Sequence, residues 1–109
     1  MATLTGLFDL YEGDCYTFDF PEGFVLETKK GIKFECSRMS VYRYDEEDRN
    51  DRNYYFYEEG SQHWVAKDYY LTQESKSKVC AYLSNLISEG KIKTDKEGYI
   101  VQSYKKEAI

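Results

Sequence analysis

Apolar and polar residues alternate with a period of two along the first half of the chain, which is the pattern of half-buried β-strands. Tyr16, Phe18 and Phe20 share one face of the first predicted strand. The segment 21–23 then predicts a turn, because its proline presets φ and its glycine accepts a positive φ. A second strand is predicted over residues 24–28.

A longer apolar run, residues 32–44, predicts a third strand with an irregularity inside it. Its apolar residues are even-numbered at first and odd-numbered later: Ile32, Phe34 and Cys36, then Met39 and Val41. A change of parity turns the buried face over, so we predict a β-bulge or a strand break near Ser37 and Arg38.

Two more strands complete a predicted antiparallel β-meander of four to five strands. Residues 54–58 are expected to pair with the end of the third strand across the acidic loop 45–53, and residues 63–65 form a short last strand. Every residue of the loop is charged or carries an amide, so burial would be costly and we predict a mobile hairpin tip.

The second half of the chain holds a helical pattern. Apolar residues recur at the spacing of one helix face: Val79, Tyr82, Leu83, Leu86 and Ile87. This predicts a helix over about 74–89, with Thr72 or Ser75 as N-cap and Gly90 just after the C-terminus. Val79, Leu83 and Leu86, together with Phe34, are predicted core residues.

The segments at the two ends are less regular. After the helix, a short hairpin is predicted around the turn 95–98, followed by a frayed tail over 103–109. At the N-terminus, residues 4–11 fit a helical stripe and residues 8–12 fit a strand, and both remain open. The chain is therefore predicted to be a single α+β domain, residues 1–109, with the meander packed against one main helix.

Composition narrows the class of protein. The chain has 109 residues, which suits one domain, and no stretch approaches the roughly 20 apolar residues that cross a bilayer. Three cysteines at irregular spacings predict a reducing, cytoplasmic location rather than a disulfide framework. An exposed strand edge suits either a monomer or a homodimer.

The net charge of −5 is unevenly distributed. Residues 1–75 carry 16 acidic and 8 basic side chains, whereas residues 76–109 carry 4 acidic and 7 basic ones. Acidic character disfavours non-specific attraction to nucleic acid, which relies on Lys and Arg replacing counterions.

No catalytic, cofactor or metal motif is present. One histidine and three scattered cysteines do not suit a zinc site, and no phosphate-binding glycine pattern occurs. Asp48, Asn50 and Glu59 match three positions of a calcium loop, but Arg52 stands where a ligand is needed and Asn53 where glycine is. We therefore predict no enzyme activity, no cofactor and no metal.

The favoured hypothesis is an acidic protein-interaction module that inhibits or modulates a partner protein. Strands present alternate carboxylates at about 6–7 Å, close to the spacing of phosphates, so the surface could mimic nucleic acid. Tyrosine adds contact area at small entropic cost. The predicted partner-binding residues are Asp45, Glu46, Glu47, Asp48, Asp51, Tyr54, Tyr55, Tyr57, Glu58, Glu59 and Trp64.

In type, a short, acidic, aromatic-rich chain of this kind resembles the small inhibitors that phages carry against host-defence enzymes, including anti-CRISPR proteins. The resemblance implies a nucleic-acid-binding or host-defence enzyme as partner and carries no family motif.

An alternative hypothesis is a DNA-binding regulator. Residues 79–86 followed by Gly90, Lys91 and Ile92 and then by 98–101 resemble the recognition helix and wing of winged-helix proteins. The resemblance covers residues 76–101 and implies direct DNA contact by the helix. A helix packed on a sheet and followed by a hairpin explains the same residues without DNA.

Overall fold

The computed structural model describes residues 4, 7–8, 15–45, 47–48 and 51–106. Its strands are β1 (Cys15–Asp19), β2 (Val25–Glu27), β3 (Lys33–Tyr42), β4 (Asn53–Glu58) and β5 (Trp64–Lys67). A short 3-10 helix, Asp68–Tyr70, leads into the α-helix α1 (Gln73–Ser88). These elements form a small single-domain α+β fold, as the sequence predicts. No helix in the described ranges is long and apolar enough to cross a bilayer.

All strand pairs of the sheet are antiparallel, and the strand order is β1-β3-β4-β5. β3 pairs twice along one edge, first with β2 and then with β1. The predicted irregularity is confirmed, because the pairing of β3 with β4 shifts register between Cys36 and Arg38. The shift reverses the buried parity, so that Cys36 before it and Met39 after it are both fully buried.

One face of the sheet forms the hydrophobic core together with α1. The predicted helix stripe is confirmed, since Val79, Leu83 and Leu86 are at most 3 % exposed, and Phe34 is buried as well. The sheet contributes these core residues: Phe18, Met39, Val41, Phe56 and Ala66. Burying a large apolar side chain contributes about 1.5–3 kcal/mol, so this layer supplies most of the driving force for folding.

α1 begins and ends where the local chemistry predicts. Thr72 is the N-cap, and its Oγ1 accepts a hydrogen bond from the Ser75 N–H at 3.2 Å. Ser75 has another role, because its Oγ accepts a hydrogen bond from the Glu27 N–H of β2 at 2.8 Å and joins helix to sheet. Gly90 follows the helix with a φ of 74°, a left-handed conformation that glycine adopts without steric cost.

The residues after α1 make the predicted turn but no regular hairpin. The Asp95 N–H donates to the Tyr99 carbonyl at 2.9 Å, and an isolated bridge joins Thr94 to Ile100. No strand forms among the described residues 91–106. Ile100 also bridges to Phe8 in parallel, and both side chains are fully buried, so packing against the N-terminal segment takes the place of a longer hairpin.

The frayed tail predicted over 103–109 is wrong for residues 103–106. The Tyr104 N–H donates to the Thr17 carbonyl, and the Asp19 N–H donates to the Tyr104 carbonyl, both at 2.9 Å. The tail therefore covers the free edge of β1 and satisfies backbone groups that an edge strand leaves unpaired. Residues 107–109 lie outside the described residues.

The two N-terminal alternatives fall mostly outside the described residues. Leu4 and Phe8 are described, and both belong to the core with at most 2 % exposure. Their burial agrees with the apolar pattern, whereas Tyr11 is not among the described residues.

Candidate partner-binding surface

The open face of the sheet carries a cluster of aromatic side chains that we call the tyrosine face: Tyr42, Tyr44, Tyr55, Tyr57 and Trp64. Strand pairing assembles it. Tyr55 and Tyr57 are two residues apart on β4 and so share a face, and Tyr57 pairs with Trp64 of β5.

The five rings enclose a shallow pocket of about 170 Å³. Tyr42 and Tyr44 are stacked with their ring centroids 6.0 Å apart, and Tyr55 and Trp64 approach to 5.5 Å. The hydroxyls of Tyr44 and Tyr55 are hydrogen-bonded at 2.9 Å, and this bond raises the pKa of the Tyr44 phenol. The contacts hold the rings in place before any partner binds.

Exposure differs across the tyrosine face. Tyr55 is only 6 % exposed and forms the floor of the pocket, whereas Tyr44 is 66 % and Trp64 45 % exposed. The most exposed rings therefore stand at the rim. Large aromatic groups left in water at the rim of a rigid cluster are typical of a binding surface.

Two basic side chains lie over rings of this face. The Arg38 guanidinium is 4.1 Å from the ring centroid of Tyr57, and its Nη1 donates to the Ser61 carbonyl at 3.3 Å. The Lys67 ammonium lies 5.2–5.9 Å from three ring centroids: Tyr55, Trp64 and Tyr69. These distances are within the range of cation–π attraction.

The aromatic surface continues onto the 3-10 helix. Tyr69 and Tyr70 are 52 % and 47 % exposed, and their ring centroids are 4.4 Å apart. Because Lys67 lies over both Trp64 and Tyr69, the two aromatic groups form one surface.

Asp51 of the acidic loop has an internal role. Its Oδ2 accepts hydrogen bonds from the Tyr44 N–H at 2.9 Å and the Asp45 N–H at 2.6 Å, and its Oδ1 accepts from the Asn53 amide at 3.0 Å. These bonds, the one from Asp45 first, lower the pKa of the Asp51 carboxyl. Asp51 thereby attaches the base of the loop to the tyrosine face.

The other predicted loop residues differ in their placement. Asp45 accepts a hydrogen bond from the Glu47 N–H at 3.0 Å and so also shapes the loop. Asp45, Glu47 and Asp48 are exposed, while Glu46 lies outside the described residues. The described loop therefore presents carboxylates to solvent directly beside Tyr44.

The structure does not bring all predicted carboxylates together. Glu58 and Glu59 are exposed but lie at the far end of β4 from the acidic loop. Five residue steps along a strand separate the two groups by about 17 Å. The acidic surface is therefore two separate groups, with the tyrosine face between them.

The prediction for Tyr54 is wrong. Its side chain is 1 % exposed and its hydroxyl donates to the Leu4 carbonyl at 2.9 Å, so it belongs to the core. The reason is the alternation along β4, which turns Tyr54 inward and Tyr55 outward.

Four residues at the tyrosine face are absent from the predicted partner-binding residues: Tyr42, Tyr44, Arg38 and Lys67. A signal existed for the first three, because once Met39 and Val41 are assigned to the core, the even-numbered positions beside them in the predicted strand 32–44 face outward. For Lys67 there was none, since its ring contacts depend on how β5 pairs with β4.

The geometry departs from the winged-helix alternative for residues 76–101. Among the described residues α1 is the one α-helix, and β5 and a 3-10 helix precede it rather than a pair of helices. Lys78 is exposed but bound to its own domain, because its ammonium donates to the Val25 carbonyl at 2.8 Å and lies 4.6 Å from the Phe24 centroid.

Burial lowers the reactivity of two of the three cysteines, Cys36 and Cys80. Burial raises the pKa of the Cys36 thiol to about 12 and also raises that of Cys80, so both are protonated at neutral pH. His63 is exposed, and its backbone N–H donates to Ser61 Oγ. Within the described ranges, no three His, Cys, Asp or Glu side chains are grouped to hold a metal ion.

Comparisons with protein-family models, with curated proteins and with solved structures found no match to this chain.

Proposed function

We propose that this protein is an interaction module that binds a partner protein stoichiometrically through the tyrosine face, and that it inhibits or modulates that partner. A nucleic-acid-binding or host-defence enzyme is the kind of partner that the acidic loop suits. The observation that carries the proposal is the rigid cluster of five aromatic side chains on the open sheet face.

The residue types of this surface support the proposal. Tyr, Trp and Arg dominate the binding energy of protein interfaces, and here Tyr44, Trp64 and Arg38 occur together on one face. The ring contacts and the Tyr44–Tyr55 hydrogen bond also reduce the entropy that binding would cost, because the side chains are already held.

Charge supports a basic partner. The loop carboxylates of Asp45, Glu47 and Asp48 stand beside the tyrosine face, and complementary potentials accelerate association and select partners. Enzymes that bind nucleic acid expose basic surfaces of the matching sign.

Affinity capture with matched variants tests the proposal. The wild-type protein and the double variant Tyr44→Ser, Trp64→Ser would be immobilised and exposed to lysate of cells in which the protein occurs. The control is Val25→Ser, which removes an apolar side chain of similar exposure, 41 %, at the opposite end of β3 from the tyrosine face. A protein captured by wild type and control but lost with the double variant supports the proposal, and binding that survives in the double variant contradicts it.

A further inference from the structure

We propose that the pocket of the tyrosine face is a cation site, which takes the arginine or lysine side chain of a partner protein. This inference rests on the proposed function, because the cation would belong to the partner that the surface binds.

The lining of the pocket suits a cation. Five aromatic side chains line it, and no charged side chain among the described residues does. Aromatic ring faces carry partial negative charge, and clusters of them bind ammonium and guanidinium groups.

The volume suits the end of one side chain. The pocket holds about 170 Å³, and a cavity of about 150 Å³ accepts a benzene-sized group. A guanidinium or ammonium with its neighbouring methylenes is of that size, whereas ligand sites for larger molecules run to about 300–1,000 Å³.

The protein's own cations show what the rings attract. Arg38 lies over Tyr57, and Lys67 lies over Tyr55 and Trp64. Neither basic residue belongs to the pocket lining.

The charges near the pocket have both signs. Arg38 and Lys67 lie over its rings, and Asp45 and Asp51 lie beside Tyr44, with the positive charge of Arg43 near Asp51. The exposed carboxylates of Glu47 and Asp48 add negative charge on the loop side, which favours the approach of a cation.

Trp64 provides a direct measurement, because it is the only tryptophan of the chain and it lines the pocket. Its fluorescence would be followed while capped arginine or capped lysine is added to the whole protein. Capped citrulline and capped norleucine are the neutral controls of similar shape. We expect saturable changes with the two cations and much weaker ones with the neutral compounds.

Three variants sharpen the test. Lys67→Met should tighten cation binding roughly threefold, the factor expected when a like charge about 7 Å away in water is removed. Tyr44→Leu should weaken it by roughly two- to fivefold through the loss of one ring. Val25→Ala is the control, since Val25 is exposed but pairs with the start of β3, away from the pocket, and binding should not change.

Equal responses to arginine and citrulline would overturn the inference. Weaker binding in Lys67→Met, together with a response to acetate or phosphate, would also overturn it by showing an anion site.

The proposed function is judged separately. A partner captured through the tyrosine face without any cation response refutes only the pocket assignment, whereas a cation response without such a partner supports the pocket and contradicts the proposed function.

Discussion

Ser75 links helix to sheet through a single hydrogen bond, and its removal has a calculable cost. Ser75 is 7 % exposed, and its Oγ accepts from the Glu27 N–H at 2.8 Å. In Ser75→Ala this N–H loses its partner in a half-buried position, which costs about 1–3 kcal/mol. Alanine recovers about 0.5 kcal/mol through its higher helix propensity. The N-cap bond to Thr72 persists because it uses the backbone N–H.

The expected net loss is therefore about 0.5–2.5 kcal/mol in the free energy of unfolding. Urea unfolding followed by circular dichroism measures it, and a loss of 1 kcal/mol corresponds to a fall in Tm of roughly 4–8 °C for a domain near this size. The matched control is Ser77→Ala on the exposed side of the same helix, which should leave stability unchanged or slightly raised. Equal stabilities of the two variants would refute the role assigned to Ser75.

Three further results are expected. The pKa of the Asp51 carboxyl is lower in the folded than in the unfolded protein, so the stabilisation by Asp51 is present above the unfolded pKa and is lost as pH falls through the folded pKa. Asp51→Asn should therefore flatten the decline of stability below about pH 4. An unchanged decline in urea unfolding at several pH values would argue against this role of Asp51. A thiol reagent should modify the exposed Cys15 in the folded protein but reach the buried Cys36 only in urea. Mass spectrometry of peptides would contradict this expectation if it found both cysteines labelled under native conditions. Glu47→Lys combined with Asp48→Lys should slow association with a basic partner by roughly tenfold at low salt, with little effect on the dissociation rate. If the association rates of wild type and variant are both independent of salt concentration, the acidic loop does not contribute to association.

Features that depend on neighbours in the sequence were predictable. The helix stripe of Val79, Leu83 and Leu86 is buried as predicted, because a period of 3.6 selects one face wherever the helix packs. The change of parity after Cys36 likewise predicted the register shift of β3, because alternation along a strand is a local property.

The candidate site could be predicted only in part. Tyr54, Tyr55 and Tyr57 were predicted together as partner-binding residues, but alternation along β4 places Tyr54 in the core, and Tyr55 is only 6 % exposed. Asp51, predicted as a partner-binding residue, also accepts hydrogen bonds from the backbone amides of Tyr44 and Asp45, which the sequence did not indicate. Which carboxylate closes a loop depends on the three-dimensional path of the chain.

Local sequence by itself thus determined the strands, the helix and the acidity of the 45–53 loop, since each follows from local spacing and residue chemistry, while the N-cap stayed open between Thr72 and Ser75. Only the tertiary structure decided that Lys67 lies over three rings and that Tyr104 covers the edge of β1. These contacts join residues far apart in the chain, and their energy depends on strand pairing and register that no local pattern encodes.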